Sequence, residues 1–277
     1  YLGVNVEVPV SVTLEQGRFA MAQLGKYTRL LLDSYLVTSD TSDIELNMNR
    51  GETETPTHES PTKFLLNEAT NELTINGYIS RLPNAFILEK RLNAIFNDPD
   101  GTHYMALIPD YRIGSGWDPT YTGTIQSSKM DIKAVSNSVV TISGTMKILS
   151  LSRPGLGEHF EDLRANCIYY EEAKSLTAAT PVFGTYTDLE SVPDKANVIV
   201  FTWEKSGAGA ITWNLEESAL GEGSGSEVFT VDETLGTTAA VDSAVTSDIA
   251  QQYVRFAITS AASETCGIAA FIQTYTA

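Results

Sequence analysis

Val139-Val140-Thr141-Ile142-Ser143-Gly144-Thr145-Met146-Lys147-Ile148-Leu149 alternates apolar and polar residues along most of its length. Val140, Ile142, Met146 and Ile148 share one face at period two, and Thr141, Ser143, Thr145 and Lys147 share the other. That is the pattern of a strand in an antiparallel sheet with one dry and one wet side. Residues 124–135 read as a preceding strand, and Ser136-Asn137-Ser138 supplies the turn of a hairpin. Lys129, Asp131 and Lys133 are expected on its wet side.

Working outward toward the N-terminus, strand signals continue. Leu73-Thr74-Ile75-Asn76-Gly77-Tyr78-Ile79-Ser80 alternates, with Leu73, Ile75 and Ile79 opposed to Thr74, Asn76, Tyr78 and Ser80. Val4-Asn5-Val6-Glu7-Val8-Pro9-Val10-Ser11-Val12 does the same, although Pro9 cannot donate to a ladder and implies an edge strand or a break. Between these runs, residues 51–63 hold two prolines and no apolar residue, which predicts a long protruding loop containing Glu52, Glu54, Thr57, His58 and Glu59. One helix is expected: Asn84 can cap it, and Leu88, Leu92, Ile95 and Phe96 fall on one face. Asn97-Asp98-Pro99-Asp100-Gly101 ends it, residues 104–108 read as a buried strand, and residues 114–121 as a loop. Two stretches, 19–36 and 157–174, have helix-compatible spacing (Leu24, Thr28, Leu31, Tyr35; Phe160, Leu163, Cys167, Tyr170), weakened in the first by Gly25.

Toward the C-terminus the texture changes. Residues 178–277 carry three basic and thirteen acidic residues, and the remainder of the chain fifteen and twenty-two. Ser175-Leu176-Thr177-Ala178-Ala179-Thr180-Pro181 reads as a linker. Two domains are therefore expected, 1–177 and 178–277. The second, with strands over 198–204, 210–215, 228–231, 253–259 and 267–275, has the size and spacing of a small β-sandwich able to fold alone. The expected fold class is mainly β with one helix.

The whole chain has a formal charge of −17 at pH 7. A nucleic-acid grip needs a basic face, and an anionic membrane surface needs the same, so neither is an expected partner. No apolar run approaches the roughly 18 residues of a spanning helix. Two cysteines, Cys167 and Cys266, are too few for a disulfide scaffold and read as reduced core residues. There is no phosphate-binding glycine loop, no G-x-S-x-G elbow, and no zinc spacing among His58, His103 and His159. Asp98 and Asp100 lack the later acidic ligand of a calcium loop. No catalytic constellation, metal or cofactor is expected.

The order of these features resembles the major tail tube proteins of long-tailed bacteriophages: strands, a long polar loop, an alternating strand, one helix and a closing hairpin. Tyr121-Thr122-Gly123-Thr124-Ile125-Gln126-Ser127 and the strand through Ser143-Gly144-Thr145 carry the likeness. It implies an assembly domain over 1–177 and an immunoglobulin-like surface domain over 178–277. It further implies hexameric rings stacked into a tube in the virion tail, assembled in the host cytoplasm, with the chain itself and other tail proteins as partners. DNA would pass without being bound, along a lumen lined by Lys129, Asp131, Lys133, Thr141, Ser143, Thr145 and Lys147. Glu52, Glu54, Thr57, His58 and Glu59 would form an inter-ring loop. Two other readings stay open: a non-catalytic β-sandwich that binds carbohydrate or a surface through Trp203, Trp213 and Tyr253, and, least supported, a hydrolase with scattered carboxylates. Trp203 and Trp213 flank a tight hairpin, where core packing is the plainer role.

Overall fold

The computed structural model describes residues 10–14, 27–38, 41–55, 63–79, 87–109, 120–134, 140–149, 164–228 and 233–275. They are mainly β, with one helix. In chain order the elements are β1 (Val10–Leu14), β2 (Arg29–Leu32), β3 (Tyr35–Leu36), β4 (Thr41–Thr55), β5 (Lys63–Tyr78), α1 (Ile87–Asn97), β6 (His103–Ile108), β7 (Thr120–Lys133) and β8 (Thr141–Leu149). There follow β9 (Arg164–Leu176), β10 (Val182–Phe183), β11 (Thr187–Asp188), β12 (Lys195–Trp203), β13 (Ile211–Ser218), β14 (Ser226–Glu227), β15 (Glu233–Gly236), β16 (Val241–Thr246), β17 (Tyr253–Ser260) and β18 (Glu264–Tyr275).

Contacts divide the chain into two compact units, neither of them a single stretch of sequence. The first comprises Tyr1–Lys26, Ser39–His103 and Gly123–Glu161; the second comprises Tyr27–Thr38, Tyr104–Thr122 and Asp162–Ala277. This differs from a cut at residue 177. Ser175 and Leu176 pair with Thr265 and Glu264 at the end of β9. Ala179 N donates to Ser260 O at 2.8 Å and Ala178 N to Ser263 Oγ at 3.2 Å, so the expected linker is hydrogen-bonded into the second unit. Strand pairing is non-local, and a change in composition does not report it.

In the first unit the strands run β1-β4-β5-β8-β7. Ile44, Leu46, Leu73, Ile75, Ile125, Ile142, Met146 and Ile148 line one face and are at most 5% exposed. The α1 side chains Leu88, Leu92 and Ile95 are equally buried. Gly144 is what lets the helix approach: a Cβ there would lie 2.7 Å from Leu92 Cδ2. Phe96, expected on the same helix face, is 45% exposed; it lies one residue past Ile95, at the rim of the buried stripe. Of the long loop expected over 51–63, residues 51–55 and 63 are strand, and residues 56–62 lie outside the described residues. β4 runs to Thr55, β5 starts at Lys63, and the ladder pairs Glu52 with Leu66 and Glu54 with Phe64. At Glu52 to Thr55, backbone pairing to a facing strand overrides the polar composition; Thr57, His58 and Glu59 lie outside the described residues. So do residues 1–9 and Asn84, and with them most of the first expected strand and the helix cap.

The second unit is a sandwich. One sheet runs β9-β18-β12-β16, and the start of β7 joins β9 through Thr120 and Tyr121; the other runs β10-β17-β13-β14, with β11 and β15 beside it. Val198, Val200, Ile268, Ala270 and Ile272 from the first meet Ile211, Trp213, Leu215, Val254, Phe256 and Ile258 from the second in one core. β12 is buried on both faces from Ala196 to Trp203, as its near-continuous apolar run requires. Its reverse side carries Ile199 and Phe201, the latter edge-on to Phe271 at 5.7 Å. Asn197 Nδ2 donates to Gln273 Oε1 at 3.1 Å on that side, so two buried amides satisfy one another. Residues 29–36 form the β2–β3 hairpin and 164–176 form β9, where helix-compatible spacing had pointed to helices. In both, the apolar residues also satisfy pairing to a facing strand, and tertiary context decides.

Candidate functional site

The register of the first unit's sheet assembles its polar residues into rows. Glu72, Lys147 and Gln126 face one another across β5, β8 and β7; so do Thr74, Thr145 and Lys129. The next rows are Asn76, Ser143 and Asp131, then Tyr78, Thr141 and Lys133. On β4, Asn47, Glu45 and Asp43 extend the first three. A one-residue bulge between Ser127 and Lys129 is what brings Lys129, Asp131 and Lys133 opposite Thr145, Ser143 and Thr141. All seven residues expected on the wet face of the hairpin therefore share one face. Of the inter-ring set, Glu52 and Glu54 sit in a ladder and the remaining three lie outside the described residues.

This face is charged in both signs. Asp43, Glu45, Glu72 and Asp131 stand against Lys129, Lys133 and Lys147. Lys129 Nζ lies 2.5 Å from Asp131 Oδ2, with both side chains more than half exposed, so the pair sets local orientation and adds at most about 1 kcal/mol. Asn76 Nδ2 donates to Asp43 Oδ2 at 3.3 Å. Asp43, Glu45 and Glu72 were not singled out from the sequence, although Asp43-Ile44-Glu45-Leu46-Asn47 carries the same alternation as the hairpin.

At the far end of β7 the dry face runs out of cover. Ile132 pairs with Ile142, which is 1% exposed, yet Ile132 is 53% exposed. Two other edges are bare among the described residues. β1 ends the strand order. The outer parts of β4 and β5, beyond Asn49 and Thr70, pair only with each other, because β8 reaches only Asn71–Tyr78 of β5.

The other candidate residues separate cleanly. Trp203 and Trp213 are 1% exposed; Trp213 Nε1 donates to Asp242 Oδ2 at 3.0 Å. Neither can stack on a ligand. His103 Nε2 lies 3.7 Å from Asp98 Oδ2, at the foot of the turn after α1. Among the described residues no group of His, Cys, Asp and Glu could hold a metal ion. Both cysteines are free thiols. Cys167 pairs with Phe271 and Cys266 with Lys174 on the β9–β18 ladder, which separates them by about 15 Å or more along the strands, beyond disulfide reach.

No protein-family model matches the chain, and no curated protein matches it in sequence. Among solved structures, the chain is similar to one in the virion of a native gene transfer agent particle, at 16% identity and TM-score 0.37, over 46% of this chain and 95% of that one. It is similar to one in the SPP1 tail tube at 11% identity and TM-score 0.36, over 46% and 75%. It is also similar to the SPP1 Dit protein, a hub adsorption apparatus protein, at 10% identity and TM-score 0.31, over 90% and 99%.

Proposed function

We propose that the chain is a non-catalytic structural subunit of a virion tail, which polymerises with copies of itself into stacked rings forming a tube. The observation that carries this reading is the first unit's sheet, dry and helix-covered on one side, wet on the other, and bare at its edges. A free strand edge is a template for pairing with another chain. Closing such sheets around an axis removes the edges and leaves the polar rows on one continuous surface. Asp43, Glu45, Glu72, Lys129, Asp131, Lys133, Thr141, Ser143, Thr145 and Lys147 would then line the lumen. With nearly balanced charge there and −17 over the whole chain, passing DNA would meet no basic surface to hold it. The bare outer parts of β4 and β5 would reach a neighbouring subunit, and other tail proteins would be further partners.

Electron microscopy of the purified chain at rising concentration tests this. Rings or tubes are expected, and Ile132→Asp should abolish them while leaving the monomer's circular dichroism unchanged. A chain that stays monomeric at hundreds of micromolar would overturn the reading.

A further inference from the structure

We propose that the outer face of the β10–β17–β13 sheet in the second unit is a binding subsite for one neutral pyranose ring, a hexose or N-acetylhexosamine at the end of a glycan. Three rows of side chains cross this face. In the middle row Phe183, Ala257 and Asn214 stand opposite one another on β10, β17 and β13. On one side Thr259 faces Thr212; on the other Arg255 faces Glu216, which faces Glu227 on β14. Ala257 is the smallest side chain at the centre of larger ones. It leaves a depression of about 90 Å³ lined by Phe183, Thr212, Asn214, Glu227, Ala257 and Thr259. That is well below the several hundred Å³ that enclose a whole small-molecule ligand, so it suits one ring presented by a larger molecule.

The wall of this depression is held in place before any ligand arrives. Phe183 is 45% exposed, an unusual setting for a phenyl ring with a fixed position. The Arg255 guanidinium carbon lies 4.4 Å from the centre of Phe183 and 4.7 Å from that of Tyr186. Arg255 is itself held by Glu216 Oε2, which accepts from Nε at 2.9 Å and from Nη2 at 2.5 Å. A charge-assisted pair that also stacks on two rings fixes the aromatic without using its pocket side. Opposite the ring, the far wall offers hydroxyls from Thr212 and Thr259 and a carboxylate from Glu227, over a floor of Ala257 and the buried Asn214, whose Oδ1 accepts from Leu215 N at 2.7 Å.

One apolar flat surface facing several donors and acceptors matches a pyranose, whose C–H face packs on an aromatic ring while its hydroxyls reach the polar side. Charge narrows the class. Two carboxylates against one guanidinium leave the site net negative, so sialylated or sulfated sugars would be repelled. This site is separate from the polar face of the first unit and from the buried Trp203 and Trp213, and it stands whether or not the chain forms tubes.

The test is an array of neutral hexose- and N-acetylhexosamine-terminated glycans, with sialylated and sulfated glycans as the anionic arm, probed with the full chain. Retention on neutral glycans is expected, competed by the free methyl pyranoside of the retained sugar. Phe183→Ala and Ala257→Trp, which removes the wall or fills the depression, should each weaken it at least tenfold. Phe183→Tyr should keep it, and all three variants should melt within a few degrees of the wild type. No retention on any neutral glycan, preference for anionic ones, or binding unchanged by Ala257→Trp would overturn the proposal. Should Ala257→Trp fail to fold, Glu227→Lys at the exposed rim decides instead: unchanged neutral-glycan binding in that variant counts against the site.

Discussion

Gly267 faces Trp203 across the β12–β18 ladder, and a Cβ built on it would lie 2.0 Å from Trp203 Cε2, far inside van der Waals contact. The register slips between Cys266 and Ile268 at the same point, so the bulge and the missing side chain together let the ring lie flat on the strand. Trp203 is 1% exposed and packs against Tyr170 at 5.9 Å, so it has nowhere to go. Gly267→Ala should therefore cost about 1–3 kcal/mol through overpacking, read as a lower urea midpoint. An unchanged midpoint would show that the indole can shift freely. A neighbouring residue predicts a pH response. Burial pushes the Cys266 thiol from 9.0 up to about 11, with the Glu264 carboxylate adding to the rise and Lys205 opposing it; burial likewise pushes Cys167 up to about 12. A raised thiol stays neutral in the folded chain after it has ionised in the unfolded one. Its contribution is thus complete below pH 9 and disappears as pH climbs toward 11. Cys266→Ala should flatten the fall in melting temperature over that interval relative to wild type. Native-state alkylation at pH 8 should be slow at both thiols, since the thiolate is the reactive form.

At the scale of elements, the strands that a sequence reader finds are those whose burial follows the local alternation. β8 and β5 declare themselves because one face meets α1 and the other meets water, so each residue's polarity reports its side. α1 is legible for the same reason at period 3.6, apart from Phe96 at the edge of its stripe. β2, β3 and β9 were missed because strands buried by non-local partners need no alternation, and their apolar residues happen to fall at helical spacing. The polar rows of the candidate site were half legible. The hairpin half followed from alternation; the β4 half, Asp43 and Glu45, needed the register with β5 before it joined them. The polar composition of 51–63 reads as a loop because residues 51–55, which pair in a ladder, carry no apolar alternation in their sequence. That arm makes a prediction of its own. A two-stranded ribbon without further partners is marginal in water, so the outer parts of β4 and β5 should gain hydrogen-exchange protection on assembly. Replacing residues 51–68 by a two-residue Asn-Gly turn should leave the first unit folded and stop polymerisation. Tubes of normal length from that variant would remove the arm from the assembly.

For the whole molecule, the division into units decides which fragments can stand alone. Composition places a boundary near residue 177 and promises an independent sandwich over 178–277. The strand order disagrees, because the sheet that carries β18 and β12 has β9 as its next strand, with eight register pairs from Glu264–Leu176 to Ile272–Asn166. A fragment 178–277 would leave that edge of β18 without a partner along most of its length. It would also lack Tyr27–Thr38 and Tyr104–Thr122, which belong to the same unit. Among these, Leu30, Leu31, Leu32, Leu107 and Ile108 are at most 2% exposed, and Tyr104 reaches Ser243 Oγ through its hydroxyl at 3.5 Å. The reverse side of β12, with Ile199 and Phe201 fully buried, would then face water. At about 25 cal/mol per Å² of apolar surface, uncovering two large side chains there and the β18 edge costs several kcal/mol, which is comparable with the entire stability of a small domain. The fragment 178–277 should therefore be insoluble or lack a cooperative transition, and truncation after Lys174 should cripple the second unit in the same way by deleting β18 and β12. Urea unfolding followed by tryptophan fluorescence reads this directly, since Trp203 and Trp213 both lie in the fragment. A single sharp transition at the full chain's midpoint would mean that β9 and the two inserted segments contribute little to the sandwich they complete.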